Sequence, residues 1–216
     1  VLVILLIAYY SDSLGIGVLG SFGLLILARL IVDITESRIK RMMKEERRAI
    51  RGAKAEETIA IVLHNLGADY VVLHDIQSPY GNIDHIVLSK ESGIFLIETK
   101  AHGGKVSVNA GQLLVNGHKP EKDFIAQALN NTYWLRETVS KVLSVEPWIT
   151  PVLVFTNAFV ERFAPVKGVV VVNKKFLLNI LQRPNLKVQN SAIWEQREKI
   201  VAAIYDKQIS IQTSIK

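Results

Sequence analysis

Short, mostly apolar segments separated by turn-forming residues follow one another after residue 70. This pattern predicts β-strands. The segments are residues 70–76, 83–88, 94–100, 106–108 and 113–115. Two later segments, 151–155 and 166–172, are almost continuously apolar, which is typical of strands buried on both faces in a parallel sheet.

Segments with apolar residues at helical spacing lie before, between and after the strands. The predicted helices are residues 37–66, 122–142, 174–181 and 192–205. The first of these helices either continues or breaks near Gly52, and it ends before Gly67, because glycine is favoured just beyond a helix C-terminus. The order α-β-β-β-α-β-β-α predicts an α/β fold of the α+β type, with helices packed against a mixed sheet.

The N-terminal part of the chain is far more apolar than the rest. Residues 1–10 are wholly apolar or aromatic, and residues 14–32 contain Arg29 as their only charge. Nineteen helical residues span roughly 28 Å, close to the hydrocarbon thickness of a bilayer. We therefore predict a transmembrane segment within residues 1–32, either one helix or a hairpin of two. A cleaved signal peptide is the alternative, but its basic residues precede the apolar run instead of following it.

A basic segment follows the predicted span. Residues 33–54 hold eight basic and four acidic residues, a net charge of +4. By the positive-inside rule, this flank places the soluble part of a membrane protein in the cytoplasm, and it also favours contact with anionic lipid. The predicted organisation is a transmembrane part at 1–32, a basic juxtamembrane helix at 33–51 and a soluble domain at 52–216.

Composition excludes several classes of protein. With 216 residues and 49% apolar residues, the chain is not intrinsically disordered, and without Cys it has no disulfides, thiolate zinc sites or Cys nucleophile. The net charge of the whole chain is +6, but residues 55–216 hold 17 basic and 15 acidic residues, a net charge of only +2. A nucleic-acid partner must therefore be inferred from a site, because the overall charge does not indicate one.

Three acidic residues and a lysine are the candidate chemistry. Glu56 shares a helix face with Ile59 and Leu63, so its carboxylate points along the buried side and needs a positive partner. Glu98 and Lys100 are two residues apart in one strand and so lie on the same face. Lys100 leads into the segment 101–104, whose Gly pair predicts a turn.

Asp84 begins the strand before Glu98. If these two strands pair as a hairpin, the carboxylates of Asp84 and Glu98 approach each other, and their repulsion is relieved by a cation. Oxygen ligands alone favour Mg²⁺ or Mn²⁺. Such an ion, held by Asp84 and Glu98, with Glu56 as a further metal ligand or as a support for the other two, suits phosphodiester hydrolysis, with Lys100 orienting water or stabilising charge on the phosphate.

Three segments carry a resemblance to a known family. They are GAKAEETI at 52–59, GNIDHIVL at 81–88 and GIFLIETK at 93–100. With these motifs the chain resembles the nuclease-related domain NERD, a branch of the PD-(D/E)xK restriction-endonuclease-like superfamily, over about residues 50–160. Two positions depart from the family pattern: Ile83 stands in place of proline and Ala55 in place of glycine.

The resemblance implies a restriction-endonuclease-like core, α-β-β-β-α-β, and Mg²⁺-dependent cleavage of nucleic acid, with DNA as the expected substrate. It implies metal ligation by Asp84 and Glu98, a catalytic Lys100 and a supporting helical acid, Glu56. Gln127 matches the polar position that related nucleases place beside the site.

Other interpretations of the same residues stay open. Glu98 and Lys100 alone are also compatible with a surface salt bridge, and His85 is expected to be a packed histidine. The alternative functions are a non-catalytic module that binds nucleic acid or protein at the membrane, and an enzyme that resolves DNA junctions or cleaves RNA.

Overall fold

The computed structural model describes residue 9 and residues 18–162, 164–184 and 190–214. Its first helix, α1, is continuous over Val18–His64, so it does not break at Gly52. The chain divides into two units, Val1–Ile50 and Arg51–Lys216. All strands and the remaining helices belong to the second unit.

The predicted transmembrane segment is not supported by the described residues. None of their helices combines the length and the apolar character that crossing a bilayer requires. Arg29, near the end of the predicted span, forms an ion pair at 3.4 Å with Asp33, the first residue after that span. Residues 1–8 and 10–17, which carry the rest of that prediction, lie outside the described residues. The location at a membrane, facing the cytoplasm, stays a prediction.

A mixed sheet of six strands forms the centre of the second unit, as the sequence predicts. Its strands are β1 Tyr70–Ser78, β2 Gly81–Ser89, β3 Gly93–Asn109, β4 Gln112–Val115, β5 Ile149–Val160 and β6 Val170–Asn173. Strands β1, β2 and β3 form an antiparallel meander, and β4 pairs antiparallel with the far end of β3. Strand β5 pairs parallel with both β3 and β6, which agrees with the nearly continuous apolar sequences at 151–155 and 170–172.

Helices complete the second unit after the strand meander. They are α2 Phe124–Leu143, a 3₁₀ turn Lys174–Phe176, α3 Leu177–Leu181, α4 Asn190–Glu195 and α5 Arg197–Ser214. Helix α2 begins at Asp123, whose carboxylate accepts a hydrogen bond from the Ala126 N–H at 3.0 Å, and it ends at Ser144 in the left-handed conformation. The cap fixes where α2 begins, one turn before Gln127.

The two faces of β3 are covered by different helices. Ile94 and Leu96 pack in a cluster with Leu135 of α2, whereas Phe95 and Ile97 pack in a second cluster with Ile59 of α1. Because side chains alternate between the faces of a strand, Glu98 and Lys100 follow Leu96 on the α2 side. This alternation determines which helix covers Glu98 and Lys100.

Two local predictions are wrong. Gly103 and Gly104 do not form a turn, because β3 continues through them and pairs with β5 as far as Val106. The first half of the predicted strand at 166–172 is also not a strand. There Lys167 and Gly168 form a tight turn, bounded by paired hydrogen bonds between Val166 and Val169, and β6 starts only at Val170. At Gly103 and Gly104 the long-range pairing with β5 overrides the local residue preference.

Gly104 in β3 permits a close approach of Asn116. The side-chain oxygen of Asn116 accepts the Lys105 N–H at 2.8 Å, and a Cβ on Gly104 would lie 1.9 Å from that oxygen. Gly104 also has φ +88°, a conformation that other residues adopt only with strain.

We predict that Gly104→Ala lowers the free energy of unfolding more than Gly111→Ala does. Gly111 has φ +72° with open space around it, so its substitution costs only backbone strain, about 1–2 kcal/mol. Gly104→Ala adds a steric clash worth about 1–3 kcal/mol more. Urea unfolding of both variants measures the difference, and equal losses would contradict the close approach of Asn116.

Candidate functional site

Glu98 and Lys100 form a buried ion pair on the α2 side of β3. The Lys100 Nζ donates to Glu98 Oε1 at 2.6 Å, and the two side chains are only 14% and 3% exposed, respectively. A pair this deeply buried differs from the surface salt bridge that was the alternative interpretation, because desolvation makes each charge depend on its partner.

Helix α2 supplies the other neighbours of the lysine. Gln127 Oε1 accepts a second hydrogen bond from Lys100 Nζ at 3.2 Å, so Gln127 lies where the resemblance places it. The ring of Phe124, one turn earlier, lies 4.8 Å from the same nitrogen, a distance that allows a cation–π interaction. Lys100 is thus held by three neighbours and has little freedom to move away.

Asp84 lies beside Glu98 at the point where the pairing of β2 with β3 ends. The paired part of β2 and β3 ends at His85 and Ile97. Beyond it, the Thr99 N–H donates to Asp84 Oδ2 at 2.6 Å, so a carboxylate takes the position of a backbone carbonyl. Asp84 is therefore fixed beside Glu98, as the hairpin prediction requires.

Glu56 lies on the part of α1 that belongs to the second unit. It is half-buried, between the buried residues Ala55 and Ile59, whereas the adjacent Glu57 is exposed. Its negative charge raises the pKa of both Asp84 and Glu98. The structure thus brings all five predicted site residues into one neighbourhood: Glu56, Asp84, Glu98, Lys100 and Gln127.

The two strand carboxyl groups hold their protons more tightly than ordinary ones. Burial raises the pKa of Asp84 to about 7, and the nearby Glu98 adds to this rise, while the Thr99 hydrogen bond opposes it. Burial also raises the pKa of Glu98, although the charge of Lys100 opposes the shift. Both shifts express the cost of placing negative charges together away from water.

The donor set fits a hard divalent cation. The second oxygen of Glu98, Oε2, is buried and has no hydrogen-bond partner among the described residues. A buried carboxylate oxygen without a donor is costly, and a cation relieves that cost. However, no group of three or more His, Asp or Glu side chains in the described part of the chain is arranged to hold a metal ion. The candidate ligands are therefore Asp84 and Glu98, and Glu56 acts on them electrostatically.

A β-bulge directly follows Lys100, where the sequence predicted a turn. Ala101 and His102 together lie opposite the single residue Thr156 of β5, after which regular pairing resumes at Gly103. The His102 ring lies 5.2 Å from the Phe124 ring. Bulges redirect side chains next to functional sites, and the Gly pair after Lys100 was the sequence signal for this irregularity.

His85 is a packed residue, as predicted. It is 3% exposed, and its Nδ1 lies 2.7 Å from Nδ1 of His74 on the neighbouring strand. Burial and the nearby His74 together lower the pKa of His85 to about 4. His85 is therefore neutral at physiological pH.

One known family matches part of the chain. The NERD family, described as a nuclease-related domain, matches residues 51–156, which include the five site residues. The match indicates a nuclease-related function and, in general, a nucleic-acid substrate. No curated protein and no solved structure matches the chain.

The raised pKa of Asp84 predicts how stability depends on pH when divalent ions are chelated. Between about pH 4 and pH 7 the folded protein keeps the Asp84 proton, whereas the unfolded chain, with a pKa near 3.8, has lost it. The free energy of unfolding therefore falls as pH rises through this window. Asp84→Asn retains an acceptor for Thr99 and cannot titrate, so it should remove roughly 1–3 kcal/mol of that fall.

Urea unfolding across this pH range, with EDTA present, measures the effect. The control is Asp69→Asn, which removes an exposed carboxylate paired with Lys90 at 3.2 Å on the surface. A pH profile of Asp84→Asn that coincides with the profile of the control would contradict the buried, proton-retaining state of Asp84.

Proposed function

We propose that this protein is a metal-dependent nuclease that hydrolyses phosphodiester bonds in DNA. The observation that carries the proposal is the buried Glu98 carboxylate, which lies beside Asp84 and is held through one oxygen by Lys100. Its other oxygen has no partner among the described residues. A site that concentrates negative charge next to a fixed ammonium group suits the handling of a phosphate together with a cation.

The residues of the site would have separate roles in hydrolysis. Water adds to the phosphorus, the bond to the leaving oxygen breaks, and a proton passes from the water to that oxygen. Lys100, restrained by Gln127 and Phe124, is positioned to orient the water or to stabilise the charge that develops on the phosphate oxygens. Because the pKa of Asp84 is about 7, Asp84 would release its proton near neutral pH when it binds a cation.

Mg²⁺ or Mn²⁺ is the cofactor that we propose. Asp84 and Glu98 would hold it, and the charge of Glu56 would strengthen their attraction for it. When bound, such an ion polarises a phosphate oxygen and favours the attack of water. Both ligands offer only oxygen atoms, which is the preference of these two ions.

The element order supports a restriction-endonuclease-like core. Helix α1, strands β1 to β3, helix α2 and strand β5 follow one another as α-β-β-β-α-β, with β4 added as an edge ribbon on β3. DNA is the proposed substrate because of the NERD match, and branched DNA or RNA remains an alternative that the same site chemistry would serve.

A non-catalytic binding module is the second candidate. It is favoured by the closed ion pair of Glu98 with Lys100 at 2.6 Å and by the absence of a three-ligand cluster in the described residues. In this case the pair is structural, and the site holds nucleic acid or protein without cleaving it.

We predict that the purified chain cleaves duplex DNA when Mg²⁺ or Mn²⁺ is added, and that Glu98→Ala or Lys100→Ala lowers the rate at least about 100-fold, as expected for loss of a charge-stabilising group. Glu56→Gln should lower metal affinity, measured by Mn²⁺ titration. The matched control is Glu57→Gln, which changes the exposed neighbour of Glu56 on the same helix.

A panel of linear duplex, branched DNA, single strands and RNA then separates the substrates. Nucleic-acid binding without cleavage at any metal concentration would favour the binding module. Equal losses of Mn²⁺ affinity in Glu56→Gln and Glu57→Gln would remove Glu56 from the site.

A further inference from the structure

A narrow groove adjoins the candidate site. It lies between β4, the start of α2 and the tight turn before β6, and it contains about 110 Å³. Three exposed lysines, Lys119, Lys122 and Lys167, line it together with the ring of Phe124. Its volume is well below the roughly 300 Å³ at which small-molecule pockets begin, so a drug-sized ligand does not fit.

Phe124 connects the groove to the reacting centre. Phe124, one of the lining residues, has its ring 4.8 Å from Lys100 Nζ. Phe124 is only 5% exposed, so it offers no free face on which a nucleobase could stack. The groove can therefore receive a charged backbone that continues from the site, but it is not built to recognise bases.

The charge of the groove is positive. Asp123 is the only acidic residue among its described lining residues, and its carboxylate is engaged as the cap of α2. No ion pair to Lys119, Lys122 or Lys167 is found within the described part of the second unit. Their three charges are thus available to an anion.

Lys167 is held in place by a costly backbone conformation. It has φ +50°, and the turn that it forms with Gly168 is closed by two hydrogen bonds of 2.9 Å between Val166 and Val169. Asparagine and glycine adopt this conformation more readily than lysine does. The local backbone therefore does not account for a lysine at this position, whereas a role for its charge does.

We propose that the groove binds the sugar–phosphate backbone of the nucleic-acid substrate next to the scissile phosphate. Lys119, Lys122 and Lys167 each contact a phosphate, and Phe124, which lines the groove, adjoins Lys100. The inference rests on the proposed function, and it adds a positioning surface that is separate from the residues of the reaction itself.

Affinity for a labelled DNA duplex, measured by fluorescence anisotropy with the full chain in EDTA, tests the groove without cleavage. The groove variant combines Lys119→Gln, Lys122→Gln and Lys167→Gln. Between about 50 and 200 mM salt, we expect the slope of log K against log salt to lose about 2–3 in magnitude, since each phosphate contact contributes roughly 0.9. At the lower salt concentration, Kd should rise at least about tenfold.

The control variant carries the same change in net charge away from the groove. It combines Lys90→Gln in the β2–β3 turn, Lys141→Gln at the end of α2 and Lys199→Gln in α5, all of them exposed. An equal loss of affinity in the groove and control variants would reduce the effect to bulk charge and overturn the proposal.

A single substitution separates binding from folding. Lys167→Asn should keep or raise the urea midpoint, because asparagine tolerates the left-handed conformation, and it should still weaken DNA binding. Lys167→Arg should retain the affinity. If Lys167→Asn leaves the affinity unchanged, the lysine makes no phosphate contact.

Cleavage assays distinguish failure of this inference from failure of the proposed function. In the enzyme, the groove variant should raise KM and leave kcat nearly unchanged. Cleavage that depends on Glu98 but is indifferent to the groove variant would refute the groove alone. Groove-dependent binding without cleavage would refute the catalytic proposal and leave the groove standing. If the groove variant lost binding to anionic lipid vesicles but kept its DNA binding, the inference would be overturned.

Discussion

Burial of the Glu98 carboxylate at the centre of the sheet is the constraint on which the rest of the site depends. A carboxylate that is 3% exposed is stable only when positive or donor groups surround it. Lys100 satisfies one oxygen, but Oε2 has no partner among the described residues, and the neighbouring Asp84 adds a second buried acid. The site is therefore short of positive charge. Burial and the nearby negative charges raise the pKa of both acids, and a bound cation would relieve the same cost.

Two irregularities of the sheet make room for these charges. On one side, the regular ladder of β2 and β3 ends at His85, so that Asp84 can accept a backbone N–H in place of a carbonyl. On the other side, the bulge opposite Thr156 interrupts the pairing of β3 with β5 immediately after Lys100. The second break is local, because β3 pairs regularly with β5 before and after it. The apolar sheet thus keeps its core while opening at the charged residues.

The parts of this site that depend on local geometry could be predicted from the sequence. Alternation along one strand places Glu98 and Lys100 on the same face, and helical spacing turns Glu56 toward the buried side. The continuation of β3 through Gly104 could not be predicted in this way, because it depends on pairing with a strand some fifty residues later in the chain. The same holds for Phe124, whose ring meets Lys100 only when α2 packs on the sheet. Contacts between distant segments are decided by packing, which a residue pattern does not encode locally.

The position of Lys100 follows from a competition that its neighbours resolve. A cation at Glu98 and the ammonium group of Lys100 would compete for the same carboxylate, so a lysine held by Glu98 alone would be displaced. Gln127 at 3.2 Å and the Phe124 ring at 4.8 Å provide contacts that do not depend on Glu98. If Glu98 bound a cation, these two contacts would keep the ammonium group beside the site. The neutral partners on α2 would then allow one buried acid to serve both a lysine and a cation.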